Sequence, residues 1–187
     1  MATESPYGSW KSPLSSKLAS DSSISIRSIC VDAKTPDMVY WAELHPAEAG
    51  HTIVFSCDVT QPTITPLRLT PENGFNVADK VHEYGGGAFI VHDAAVYFSN
   101  FDDGKIYKQK GNQAPSAVTK SENFRYADAD FYEPGQHLFC VREDDTNLAN
   151  HPEPVNTTVA INVDTGDENV MVSGYDFYSN PRVPHDG

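Results

Sequence analysis

The chain has 187 residues, of which 39% are hydrophobic and 21% charged, with 12 Gly, 13 Pro and a formal net charge of −13 at pH 7. This length corresponds to one or two domains at about 100–200 residues each. With Gly added, the apolar content approaches the roughly 45–50% of globular chains, which excludes wholesale disorder. An acidic surplus of this size repels phosphate backbones, whose affinity for proteins comes from Lys and Arg, so no nucleic-acid partner is expected.

The longest apolar runs, such as Ala88-Phe89-Ile90-Val91, fall far short of the ~20 residues of a membrane helix, and no membrane partner is expected. The beginning, Met1-Ala2-Thr3-Glu4-Ser5-Pro6, has neither the basic nor the apolar region of a secretion signal. The expectation is a soluble, cytoplasmic protein. Cys30, Cys57 and Cys140 are odd in number and widely spaced, lie among strand-type residues and form no C-x-x-C, which reads as buried free thiols. Asn156-Thr157-Thr158 matches a glycosylation acceptor, but without a secretion signal it reads as a surface turn.

In chain order, residues 1–22 are rich in Ser and Pro around Tyr7-Gly8-Ser9-Trp10-Lys11-Ser12-Pro13 and carry no periodicity, so they read as an irregular N-terminal arm. From residue 23 onward the chain breaks into short runs rich in Val, Ile, Tyr, Phe and Thr, punctuated by Gly, Pro, Asn and Asp. Strands are predicted over 23–31, 38–44, 51–59 and 67–69, then 88–92, 95–100, 105–109 and 117–119. A third group covers 126–132, 137–143, 158–163 and 170–172. No helical stripe of useful length interrupts them.

Each group repeats a turn followed by an aromatic-centred strand: Asp37-Met38-Val39-Tyr40-Trp41, Asp93-Ala94-Ala95-Val96-Tyr97-Phe98 and Pro134-Gly135-Gln136-His137-Leu138-Phe139. Tyr40 and Tyr97 are 57 residues apart, and Tyr97 and Phe139 are 42 apart. Four strands at such a spacing, close to the roughly 40–50 residues of a propeller blade, predict an all-β fold. That fold is a partial β-propeller over 23–187, with blades at 23–75, 76–120 and 121–173 and the start of a fourth at 174–187. Residues 177–183 read as a first strand and Pro184-His185-Asp186-Gly187 as the turn to a second. A set of blades this short leaves an open flank, so the chain is expected to be the front of something longer or to rely on a partner that covers the flank.

No G-x-S-x-G nucleophile elbow is present; Ser9 and Ser173 touch a Gly but lack the second one and a following helix. The most conspicuous segment is Val81-His82-Glu83-Tyr84-Gly85-Gly86-Gly87-Ala88-Phe89, whose glycines permit positive φ and close approach. One reading is a phosphate loop, although Ile90 stands where G-x-G-x-x-G wants Gly and no helix follows. The other is a turn leading into a strand where blades crowd near an axis, with His82-Glu83-Tyr84 either facing a tunnel or acting as a hydrogen-bonded brace. His82, Glu83, His92 and Asp93 lack the spacing of a zinc or calcium loop, and neither a metal nor any other cofactor is expected. The acidic clusters Asp102-Asp103, Asp128/Asp130 and Glu143-Asp144-Asp145 read as solvated turns or, alternatively, as a patch for a cationic substrate.

Several strings together resemble a known family: Tyr7 to Pro13, His82 to Gly87, Val96-Tyr97-Phe98-Ser99-Asn100-Phe101, Arg125-Tyr126-Ala127-Asp128, Val141-Arg142-Glu143-Asp144, Glu153-Pro154-Val155-Asn156 and Gly174-Tyr175-Asp176-Phe177-Tyr178. They resemble the N-terminal propeller of prolyl oligopeptidase-family serine peptidases, nearest the acylaminoacyl-peptidase and dipeptidyl-peptidase-like branch. The resemblance implies a propeller, commonly seven-bladed, that caps a C-terminal α/β-hydrolase domain and restricts substrates to short peptides. The Ser-Asp-His triad belongs to that second domain, so no catalytic residue is carried onto this chain, which alone is expected to hydrolyse nothing. His82, Glu83, Tyr84, Gly85, Gly86 and Gly87 carry over as a family motif and are the binding candidates. The alternative is a noncatalytic interaction module that binds through the propeller face or open blade edges. A sugar- or lactone-handling propeller enzyme with a central metal is a third reading.

Overall fold

Alternating Val, Ile, Tyr and Phe in short runs favour extended backbone, because each such run can bury a face on both sides. The computed structural model describes residues 4, 6–9, 12–21, 23–71, 74–147 and 153–184. Among these it forms three antiparallel four-stranded sheets. The first sheet contains β1 (Ser25–Asp32), β2 (Thr35–His45), β3 (His51–Asp58) and β4 (Leu67–Arg68) in that order. The second contains β5 (Phe89–His92), β6 (Ala95–Ser99), β7 (Ile106–Lys110) and β8 (Ser116–Ala117). The third contains β9 (Phe124–Tyr132), β10 (His137–Asp144), β11 (Val155–Asn162) and β12 (Glu168–Val172). Each of the twelve predicted runs carries one of these strands, with ends displaced by a few residues.

The first strands of successive sheets pack together, β1 on β5 and β5 on β9, which is how propeller blades converge on an axis. At one end of that seam the turns after β1, β5 and β9 meet. Asp32 Oδ2 accepts the Ala94 N–H at 2.9 Å, and Lys34 of the first sheet pairs with Glu133 of the third. The His92 ring lies flat on Phe131, 3.8 Å between centroids.

Strand β6 shows what holds the sheets to one another. All five of its residues are buried, and successive side chains leave opposite faces. Ala95 and Tyr97 enter a cluster with Tyr126, Phe131, Leu138, Cys140, Val159 and Ile161, which joins the second sheet to the third. Val96 and Phe98 enter a cluster with Tyr40, Ala42, Val54, Val77, Phe89 and Val91, which joins it to the first.

Four local expectations change. The arm contains a short helix, α1 (Ser16–Asp21), which begins where the Ser15 hydroxyl accepts the Leu18 N–H at 3.0 Å, an N-cap bond that periodicity does not reveal. Residues 177–183 form no strand among the described residues. They lack a ladder neighbour, and the N–H groups of Asn180 and Val183 instead donate to the carboxylates of Asp128 and Asp130 at 2.6 and 2.9 Å. Asn156 is not on a surface turn: it lies in β11, 5% exposed, and is engaged by His82. Cys57 and Cys140 are buried free thiols, whereas Cys30 is only half-buried. Trp10, Lys11, Glu72, Asn73 and the expected turn at His185-Asp186-Gly187 lie outside the described residues. Among the described residues no helix is long and apolar enough to cross a membrane.

Leu138 is fully buried in the cluster between the second and third sheets. Leu138→Ala is expected to destabilise the chain by about 2–5 kcal/mol, read as a lowered urea midpoint with an unchanged slope.

Candidate functional site

The segment between β4 and β5 turns sharply around a buried carboxylate. Asp79 Oδ1 accepts the Val81 N–H at 3.0 Å and Oδ2 accepts the Gly86 N–H at 3.1 Å, while the Gly85 N–H donates to the Val81 carbonyl at 3.0 Å. The backbone is left-handed at His82 (φ 57°) and Glu83 (φ 63°) and has positive φ through Gly85, Gly86 and Gly87. Two of these glycines are required by close approach. A Cβ at Gly85 would lie 2.6 Å from the Asp79 carbonyl oxygen, and one at Gly87 would lie 2.8 Å from the Asp128 Cα. The Asp79 carboxylate occupies the place that a phosphate would take in an anion loop, and the segment leads into strand β5 rather than a helix.

The motif residues divide into two groups. His82 and Glu83 brace the second sheet to the third. The His82 N–H donates to Glu143 Oε1 at 2.9 Å, and its Nε2 lies 3.2 Å from Asn156 Oδ1. Glu83 accepts from Arg125 Nη1 at 2.8 Å, and Arg125 Nε reaches Asp145 at 2.7 Å. The buried Glu143 Oε2 has no hydrogen bond and faces Arg125 Nη1 at 3.7 Å. Tyr84, by contrast, is 85% exposed, and Phe177 meets the His82 ring edge-on at 5.2 Å. Two clefts flank the glycines. One of about 600 Å3 lies toward the first sheet and is lined by Arg27, Thr52, Asn76 and Tyr84; the other, of about 250 Å3, lies toward the third sheet with Tyr178 and Asn180.

Burial pushes the Asp79 carboxyl up to about 6, and the nearby Glu143 adds to the shift, against the two backbone donors and His82. His92 belongs to a different network: burial lowers its pKa, and its neighbour Asp93 pairs with Lys110 at 3.0 Å. His82 and His92 therefore do not converge on one centre.

The acidic clusters are largely structural, which corrects their reading as solvated turns. Asp103 accepts from Asn100 Nδ2, the Lys105 N–H and the Tyr107 hydroxyl. Asp128 pairs with Arg182 at 3.1 Å, Glu143 is 3% exposed, and Asp145 is tied to Arg125; only Asp102 is left exposed. Blade packing brings turn carboxylates beside the cations and N–H groups of neighbouring segments, and a buried carboxylate must be paired. The sequence reading missed Asp79, Arg125 and Asn156 as partners of the motif. Glu143 and Asn156 lie 61 and 74 residues from His82, so no local pattern could have joined them.

Two measurements test this construction. Asp79 binds its proton more tightly folded than unfolded, so its contribution to stability is present below about pH 4 and lost as the pH rises through 6. Relative to Asp79→Asn, the native chain is expected to lose on the order of 3 kcal/mol across that window, measured by urea unfolding at a series of pH values. Gly87→Ala forces a methyl onto the Asp128 backbone at a positive φ. It is expected to cost more than the ~1 kcal/mol of an ordinary glycine replacement and to shift the amide resonances of 127–130.

No protein-family profile and no curated protein sequence matches the chain. Solved structures do. The chain is similar to a puromycin-hydrolyzing peptidase of Mycobacterium tuberculosis, with a TM-score of 0.74 and 27% identity over 96% of this chain and 29% of that one. It has the same fold as part of a puromycin hydrolase, with a TM-score of 0.79 and 23% identity over 100% of this chain and 30% of that one. The S511A mutant of puromycin hydrolase complexed with PGG gives a TM-score of 0.73 at 23% identity over 92% and 28%. The chain thus spans under a third of the length of each. The resemblance carried by short strings such as His82 to Gly87 extends to the whole fold, and this chain is a partial β-propeller built like a segment of the puromycin-hydrolyzing peptidases of the prolyl oligopeptidase family.

Proposed function

We propose that this chain is the substrate-gating propeller segment of a serine exopeptidase that acts on short peptides, and that it hydrolyses nothing by itself. The observation that carries this reading is the likeness over 96% of the chain, at 27% identity, to a puromycin-hydrolyzing peptidase. In this reading an α/β-hydrolase domain elsewhere in the polypeptide supplies the Ser-His-Asp chemistry of acyl transfer to water. The propeller forms a wall of the chamber and excludes folded proteins by size, and peptides reach the clefts beside Tyr84 and the glycines.

Three histidines and a buried serine are engaged in structural contacts, which supports a passive chemical role. A serine nucleophile of the Ser-His-Asp type relies on a histidine within hydrogen-bond reach as its base. Here the His45 ring is held by Glu43 at 2.9 Å, His82 by Asn156 and His92 by its stack on Phe131, while the buried Ser99 hydroxyl donates to the Tyr126 carbonyl at 2.7 Å. A second reading, a noncatalytic module that binds partners through blade edges, draws support from exposed Val170, Met171 and Val172 on β12.

Sequencing the complete transcript tests the proposal. A continuation with G-x-S-x-G followed by Asp and His is expected, and a transcript without them overturns the peptidase reading. The purified chain is expected to form no adduct with a fluorophosphonate probe and to release no product from aminoacyl anilides. Inhibitor-sensitive turnover by this chain would overturn its passive role.

A further inference from the structure

Four of the five arginines are locked to carboxylates. Arg68 meets Glu48 at 2.9 Å, Arg125 meets Asp145 at 2.7 Å, Arg142 meets Glu168 at 3.2 Å and Arg182 meets Asp128 at 3.1 Å. Arg27 is the exception: among the described residues no carboxylate pairs with it, in a chain that carries 26 Asp and Glu. The backbone explains why. The register between β1 and β2 slips between Ile26, opposite Glu43, and Ser28, opposite Ala42, so Arg27 is the extra residue of a bulge. A bulge re-aims the side chain it carries. Arg27 is exposed and lines a cleft of about 600 Å3 that Tyr84 and the triglycine turn also line.

The acids nearest in register or in the cleft are already engaged. Glu43 accepts from Trp41 Nε1 at 2.6 Å and lies 2.9 Å from His45 Nε2. Asp79 is engaged by the Val81 and Gly86 N–H groups, one on each carboxylate oxygen. A guanidinium is always charged, and its donors form a planar fork that matches a carboxylate in bidentate fashion. In a chain of net charge −13, a free arginine in a cleft is a local positive point in a negative field, which attracts one end of a zwitterion and turns the other away.

We propose that Arg27 anchors the C-terminal carboxylate of a short peptide in this cleft, which the exposed Tyr84 ring also lines. This deepens the peptidase reading and rests on it for the identity of the ligand. Arg27 would then act as a specificity residue: it selects peptides with a free carboxyl end over amidated or internal segments, and it sets which end of the substrate points toward the first sheet.

The test is an amide and arginine side-chain NMR titration of the purified chain at millimolar acetyl-Ala-Ala, acetyl-Ala-Ala-amide and inorganic phosphate. The acid is expected to shift Arg27 Nε–H and the amides of 85–87 at least tenfold more tightly than the amide form. Arg27→Gln is expected to abolish that preference, and Arg27→Lys to keep part of it. Because Arg27 is exposed, the glutamine variant is expected to retain the dispersed spectrum of the native fold. Equal affinity for acid and amide, or a preference that survives in Arg27→Gln, overturns the proposal. Phosphate binding as tight as that of the acid peptide overturns the assignment to peptide and identifies a general oxyanion site. A transcript lacking the hydrolase motifs removes the peptidase reading but does not alter the acid-to-amide ratio, so the two failures are distinguishable.

Discussion

A four-stranded sheet with two apolar faces cannot stand alone in water, and β6 makes that requirement concrete. Ala95 and Tyr97 on one side and Val96 and Phe98 on the other are buried only because a sheet lies against each face. The second sheet therefore dictates the positions of the first and third, and the first strands β1, β5 and β9 come together as a consequence. Apolar burial at ~25 cal/mol per Å2 is non-directional, so it sets the stacking but not the exact angle or register between sheets.

Polar contacts set the register. The His82 backbone on Glu143, the His82 ring on Asn156 and Arg125 between Glu83 and Asp145 join the turn before β5 to the third sheet. The Asp32 to Ala94 bond and the Lys34 to Glu133 pair act at the other end of the same seam. Several of these groups are buried, where breaking one partner strands the other, so they specify one arrangement even where they add little net stability. The same network spends His82 and Glu83 on structure and leaves Tyr84 and Arg27 facing the cleft.

Much of the fold was legible because its signal is local. Short runs rich in Val, Ile, Tyr, Phe and Thr between Gly, Pro, Asn or Asp turns located all twelve strands, and the recurrence of Tyr40, Tyr97 and Phe139 showed that the groups were equivalent. The local signal failed where an interaction partner was distant or absent. Residues 177–183 have strand composition but no ladder neighbour, and they bind Asp128 and Asp130 instead. Asn156 fits a surface acceptor motif by spelling, yet β11 places it 5% exposed against His82. Arg27 drew no attention in the sequence, since neither a bulge nor the absence of a partner is written in a single strand.

By itself the sequence determined the fold class and the strand rhythm and singled out the His82 to Gly87 segment, all of which depend on composition, period or contiguous residues. Only the tertiary structure decided that this segment is a turn wound around Asp79, that the acidic clusters are mostly paired, and that Arg27 meets no carboxylate among the described residues. Those outcomes depend on which charges meet across sheets, and a charge's partner is chosen by packing between elements far apart in the chain.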